Sequence, residues 1–136
     1  MGKKLIIKGA DFSDNALEKG RVGEIVSPMW PRDGSTFAAA SGYSTVVFPV
    51  IPGESYSVVT DRTSSAFGFS SVFPVDQTPY IGGARIIATP QSPKSGTVPE
   101  GAAYMGVVHT YNNGADNIFP SAISLGDDIV KVSDYR

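Results

Sequence analysis

Short apolar stretches alternate with turn residues along most of the chain. Alternation with period two is clearest at residues 55–60 and 66–73, where it places Phe67 and Phe69 on the same face of a strand. Val, Ile, Phe and Tyr dominate these stretches, and Gly or Pro separates them, with 15 glycines and 10 prolines in the chain. Such a pattern predicts short β-strands joined by turns.

Nine segments carry the strand pattern. We predict strands over residues 4–8, 22–27, 43–50, 55–60, 66–73, 84–89, 103–110, 123–125 and 129–132. Pro52 and Gly53 predict a tight turn, because Pro presets φ and Gly accepts a positive φ. We expect residues 55–60 to return from this turn as the hairpin partner of residues 43–50. Residues 28–40 are predicted to form a loop, residues 90–96 a polar turn, and residues 13–18 one helical turn.

The predicted fold is all-β, an antiparallel β-sandwich or jelly-roll-like domain with about eight or nine strands and little helix. Long amphipathic helices, which an α/β fold requires, do not occur in the pattern. A length of 136 residues fits one domain. We expect residues 21–136 to form this single domain. Residues 1–20 fit either an N-terminal arm that docks on a neighbour, or a first strand at a sheet edge followed by a short turn.

Charge and cysteine content narrow the classes of partner. The chain has no Cys, which excludes disulfides and thiolate metal sites. Its 11 basic and 13 acidic residues are spread along the chain, so we expect no nucleic-acid partner. No apolar stretch approaches the roughly 20 residues that span a bilayer, and the apolar stretch 5–7 is too short for a secretory signal. We therefore expect no membrane partner and see no signal peptide.

Catalytic and metal-binding patterns are weak. His109 is the single histidine, and no Gly-x-Ser-x-Gly motif supplies an activated serine. Oxygen ligands for calcium occur at residues 112–113 with Asp116 and at residues 127–128, but both groups have the composition of polar turns. We predict that the chain is not an enzyme and needs no cofactor and no metal.

Aromatic residues next to polar ones are the candidates for ligand recognition. Aromatic rings can stack on the apolar faces of sugars, while neighbouring Arg and Asn side chains bond to hydroxyl groups. Trp30 stands near Arg32 and Asp33, and Tyr111 precedes two asparagines. The candidate glycan contacts are Trp30, Arg32, Tyr111 and Asn112. A Trp beside Pro can equally close the end of a sandwich core.

Several segments carry a family resemblance. Residues 48–58 (Phe-Pro-Val-Ile-Pro-Gly-Glu-Ser-Tyr-Ser-Val) and 97–105 (Thr-Val-Pro-Glu-Gly-Ala-Ala-Tyr-Met) resemble a hairpin and a strand entry of β-sandwich modules in phage tail fibres and minor virion proteins. Residues 66–73 stand where those modules have an aromatic strand. The order and spacing agree over residues 43–110, although Gly106 stands where the modules usually have Arg. The opening, residues 4–16, is similar to a leader that precedes such domains in surface and phage proteins of gut bacteria.

The resemblance implies a role in attachment or decoration of a virion, with assembly as a symmetric oligomer. The expected function is a non-catalytic structural or interaction protein of a tailed phage, as a capsid decoration, head fibre or tail accessory. It would be assembled in the host cytoplasm and reside in the virion, with other copies of itself or other virion proteins as partners. The candidate assembly contacts are Leu5, Ile6, Ile7 and Phe12. The alternative is a carbohydrate-binding module that recognises a glycan through exposed aromatic residues.

Overall fold

The computed structural model describes residues 3–6, 22–32, 34–60, 65–110, 121–126 and 128–131. Within these residues the secondary structure is all β, as predicted, and contains no helix. The strands are β1 Lys3–Ile6, β2 Val22–Val26, β3 Trp30–Pro31, β4 Phe37–Ala38, β5 Ser44–Pro49, β6 Ser55–Thr60, β7 Ser65–Ser70, β8 Ile81–Ala88, β9 Lys94–Thr97, β10 Tyr104–Thr110, β11 Ser121–Leu125 and β12 Asp128–Lys131.

Two antiparallel sheets pack face to face. The six-stranded sheet has the order β1-β2-β5-β10-β7-β8, the four-stranded sheet has the order β12-β11-β6-β9, and β3 and β4 form a separate small pair. The predicted antiparallel sandwich is therefore confirmed. Its two main sheets hold ten of the described strands, slightly more than the sequence predicted, because β9 contains no large apolar residue and shows no strand pattern.

The core lies between the two sheets. Alternate residues of β5, β7 and β10 point into it and meet residues of β6 and β11 from the opposite sheet. Phe67 and Phe69 share this core, as their spacing predicted. The buried side chains contributed by strands are Val46, Phe48, Val58, Phe67, Phe69, Ala88, Met105, Val107, Ile123 and Leu125.

The prediction that β6 is the hairpin partner of β5 is wrong. Strand β5 pairs with β2 and β10, whereas β6 pairs with β11 and β9. The turn itself is present, with Gly53 at φ 90°, but it carries the chain from one sheet to the other. Alternation with period two has the same form in either case, so the sequence pattern cannot separate a sheet neighbour from a strand across the core.

A third layer covers the outer face of the six-stranded sheet. It consists of residues 28–32, 34–43 and 73–80. Residues 28–40 were predicted as a loop. Strands β3 and β4 pair within it, and Thr36 bridges to Pro79. Met29, Phe37 and Tyr80 are the buried residues of this layer, and Val26 of β2 packs against them. These residues therefore cover part of the outer face of the six-stranded sheet.

The first and ninth strands lie at sheet edges. The sequence left open whether the N-terminal segment is an arm or an edge strand, and Lys3–Ile6 pairs with Val22–Val26 of the same chain. Strand β9 overlaps residues 90–96, which were predicted as a polar turn. The sequence did not predict a strand there because Lys94–Thr97 contains no large apolar residue. The predicted helical turn at residues 13–18 lies outside the described residues.

Candidate functional site

Trp30 is partly buried and packs on the outer face of the six-stranded sheet. Ala66 of β7 and Val108 of β10 form the cluster against which its ring lies. The ring of Tyr43 is 4.4 Å away between centroids, and the guanidinium carbon of Arg85 lies 5.7 Å over the Trp30 ring. Trp30 therefore packs against the sandwich, the alternative to glycan contact that its sequence context allowed. It also makes a cation–π contact with Arg85.

A bulge in β8 brings Arg85 to Trp30. Phe67 of β7 pairs with Ile86 of β8, and Phe69 pairs with Ile81. One residue of β7 therefore lies opposite four residues of β8, residues 82–85. Gly82 and Gly83 start this bulge at φ 94° and 86°, values that glycine adopts without steric cost. Arg85 was not among the residues predicted from the sequence. A glycine pair inside a strand pattern is a signal for a bulge, and it could have found this residue.

Arg32 presents an exposed side chain from a fixed backbone. Its carbonyl oxygen accepts a hydrogen bond from the hydroxyl of Tyr80. The guanidinium of Arg85 lies 3.5 Å from the carbonyl oxygen of Pro31, the preceding residue. We call Trp30, Arg32, Tyr43 and Arg85 the arginine–aromatic surface.

The other candidate residues divide into two groups. Tyr111, Asn112, Ile7 and Phe12 lie outside the described residues, so their roles stay predictions. Leu5 and Ile6 lie in the edge strand β1, and their part in assembly also stays a prediction. His109 lies in β10 as predicted, where the register with β5 is irregular between Val108 and Thr110.

Two glycines form the floor beneath the outer layer. Gly106 of β10 and Gly68 of β7 are register partners. A Cβ atom at Gly106 would lie 2.6 Å from the ring of Phe37, and one at Gly68 would lie 2.6 Å from the ring of Tyr80. The two rings meet edge to face at 4.9 Å. A side chain at Gly106 would therefore displace Phe37.

One end of the sandwich exposes large apolar side chains. Ile51 is 63% exposed and Val72 is 56% exposed. Tyr104 of β10 pairs with Pro49 of β5 and with Ser70 of β7. Ile51 lies two residues after Pro49, and Val72 lies two residues after Ser70. Since β5 and β7 flank β10, the two segments leave the sheet about 10 Å apart, which is two strand spacings.

Hydrogen bonds hold Ile51 in place on its turn. The Glu54 carboxylate accepts the amide of Ile51 at 2.8 Å, and the Glu54 amide donates to the Ile51 carbonyl oxygen at 3.2 Å. Val98 then links this turn to the next loop, since its amide donates to the Glu54 carbonyl oxygen at 2.8 Å. An exposed isoleucine is thus fixed by its own turn and by a neighbouring loop.

A second turn and the start of the β7–β8 loop complete this end. The amide of Ala102 donates to the carbonyl oxygen of Pro99 at 3.2 Å, and Glu100 projects from the turn as an exposed residue. The hydroxyl of Ser70 donates to the carbonyl oxygen of Val72 at 2.8 Å. We call Ile51, Glu54, Val72 and Glu100 the end surface.

The end surface combines apolar and acidic side chains. Within residues 50–54, 71–72 and 98–103, the charged residues are Glu54 and Glu100, and both are acidic. Asp76 belongs to the outer layer, where its carboxylate accepts the amide of Ala39 at 2.9 Å. The end surface was not predicted from the sequence, because apolar residues in strand-rich patterns are expected to be buried. The Pro-Gly turn directly after Ile51 is the signal that could have identified it.

Other classes of site do not appear in the part of the chain that the structure describes. Those residues contain no group of three or more His, Cys, Asp or Glu side chains placed to hold a metal ion. They likewise contain no helix with the length and apolar character needed to cross a membrane. Comparison with protein families, with curated proteins and with solved structures finds no match for this chain.

Proposed function

We propose that this chain is a non-catalytic structural protein of a tailed-phage virion that contacts other proteins through its end surface. The observation that carries the proposal is the exposure of Ile51 and Val72 on hydrogen-bonded segments at one end of the sandwich. Apolar side chains exposed at one end of a domain are available for contact with another protein, and contiguous apolar surface is typical of protein contact sites. The resemblance to virion modules also supports it, since it covers residues 43–110 and so includes both segments.

The rigidity of the end surface favours a binding role. Binding costs the free energy of ordering any side chain or loop that is mobile beforehand. The Ile51 turn is already held by the Glu54 carboxylate, and the Val72 carbonyl is held by Ser70. Little further ordering of the backbone is needed when a partner docks there.

The outer layer also favours an end rather than a sheet face as the contact region. Many sandwich modules bind ligands across an open sheet face. Here the rings of Phe37 and Tyr80 fill the centre of that face, directly above Gly106 and Gly68. Ile51 and Val72 of the end surface, unlike these two buried rings, are exposed to solvent.

Quantitative mass spectrometry of tailed particles tests the proposal. The particles are purified by density gradient from the strain that encodes the chain. We expect the chain at a constant ratio to the major capsid protein, and retained after a high-salt wash. Recovery of the chain only from the soluble fraction of the lysate would overturn the proposal.

A second candidate function is carbohydrate binding at the arginine–aromatic surface. The partial exposure of Trp30, with the exposed Arg32 two residues away, favours it. Glycan-array binding by the full chain is the test, with Trp30→Ala expected to abolish the signal and Val59→Ser, on the opposite sheet, expected to retain it. Absence of any bound glycan, or equal binding by Trp30→Ala, would refute this candidate.

A further inference from the structure

We propose that the end surface of one copy docks on the arginine–aromatic surface of a second copy of this chain, head to tail. The inference deepens the proposed function and rests on it, because it names the partner of the same end surface. The two surfaces lie on different parts of the molecule. The first is built from turns at one end of the sandwich, and the second from the layer over the six-stranded sheet.

The charges of the two surfaces are complementary. Glu54 and Glu100 lie on the end surface, and its three segments contain no Lys or Arg. Arg32 and Arg85 lie on the other surface, with Arg32 exposed. Opposite charges steer two surfaces into one relative orientation and disfavour contact between like surfaces. An acidic end therefore selects a basic receptor, which this same chain carries.

The apolar parts are complementary as well. Ile51 and Val72 offer aliphatic side chains in an exposed position, and Trp30 and Tyr43 offer partly exposed rings next to arginine. Trp, Tyr and Arg are the residues most enriched at the centres of protein interfaces. An aliphatic side chain on a rigid turn fits against rings that are themselves fixed by packing.

The outer face of the four-stranded sheet is a less suitable receptor. Its exposed residues on β6 and β9 include Ser55, Ser95 and Thr97, with Val59 as a single large apolar side chain. The exposed side chains described on these two strands offer neither a ring nor an arginine to the end surface. Val59 is therefore a matched control position, an exposed valine outside the proposed contact.

The proposed contact joins two different surfaces, so it is heterologous. Such a contact leaves one end surface and one receptor free in every pair. Further copies add until the array closes into a ring or continues as a filament. We therefore expect association beyond a dimer, increasing with protein concentration and decreasing with salt, since the charges lie near solvent.

Charge reversal with rescue tests the inference, by sedimentation velocity of the full chain at low salt over a range of concentrations. We expect Arg32→Glu and Glu100→Arg each to weaken association by at least tenfold, because each creates like charges across the contact. An equimolar mixture of the two variants restores association, since each supplies the complement of the other. Lys94→Glu, a charge change at the start of β9, and Val59→Ser leave association at the wild-type level.

Three outcomes would overturn the inference. They are a wild-type chain that is monomeric at every concentration, association that neither reversal weakens, and a mixture that fails to recover. Thermal melting of each variant shows that it remains folded. If the chain is monomeric and yet present in purified particles, the head-to-tail contact fails while the proposed virion role stands with a different partner.

Discussion

Gly106→Ala should destabilise the protein although it adds a single methyl group to a strand. The new Cβ would lie 2.6 Å from one ring carbon of Phe37 and 3.1 Å from another, whereas carbon atoms pack favourably at about 3.5–4.0 Å. Phe37 is fully buried and cannot turn out to solvent. Either its ring or the β10 backbone must move by about 1 Å.

The magnitude follows from two opposing terms. Overpacking a well-filled core costs about 1–3 kcal/mol, and replacing glycine by alanine within a strand returns about 0.5–1 kcal/mol of backbone entropy. The difference between the middle values of these two ranges is a net loss of about 1 kcal/mol in the free energy of unfolding. With a typical urea m-value of about 2 kcal/mol/M, the midpoint falls by about 0.5 M.

Urea denaturation of four variants is the assay. Gly106→Ala is measured alone and in a Phe37→Ala background, where the obstructing ring is gone and the penalty should vanish. Gly96→Ala is the control and should cost less, because its new Cβ would lie 2.9 Å from the hydroxyl oxygen of Tyr56 and 3.0 and 3.1 Å from two carbons of that ring, and Tyr56 is only partly buried whereas Phe37 is fully buried. An unchanged midpoint for Gly106→Ala, or the same penalty without the Phe37 ring, would refute the proposed packing of the outer layer.

Three further changes test local interactions. Tyr80→Phe removes the hydroxyl bond that holds the outer layer and should lower the free energy of unfolding by about 0.5–1.5 kcal/mol, measured in urea; no change would contradict this role. Glu54→Gln weakens the bond to the Ile51 amide and should cost about 1 kcal/mol by the same assay, more than Glu100→Gln at the adjacent turn. Burial raises the pKa of Tyr56 above its ordinary 10.0, so the folded state holds the phenol proton more tightly than the unfolded chain. The resulting stability is present below pH 10 and is lost as the pH rises through the folded pKa; Tyr56→Phe should reduce that loss in melting curves recorded above pH 10, and an identical decline in both proteins would refute it.

The fold class was predictable because local patterns determine it. Alternation at β6, β7 and β10 and the apolar run of β5 indicated strands, and glycine and proline marked their ends. Pairing was not predictable from the same signal. Strand β5 is buried on both faces, so its apolar run does not show which neighbour comes next in the sheet, and the expected hairpin with β6 does not form.

The candidate site was predictable only in part. Trp30 and Arg32 were identified from residue type and position, but Arg85 reaches them through a bulge 55 residues away from Trp30 in sequence. The outer layer also had no pattern of its own, since β3 and β4 have two residues each. Gly68 and Gly106 are explained by rings from that layer, a long-range relation that spacing along the chain does not reveal.

Incorporation of end-surface variants into particles tests the central claim most directly. The double variant Ile51→Ser, Val72→Ser and the control Val59→Ser are each expressed with the wild-type chain during particle production, and the purified particles are quantified by mass spectrometry. We predict that Val59→Ser enters particles in proportion to its expression, while the double variant is depleted although its melting temperature matches that of the control. Equal incorporation of both variants would contradict the claim that this chain joins the virion through its end surface.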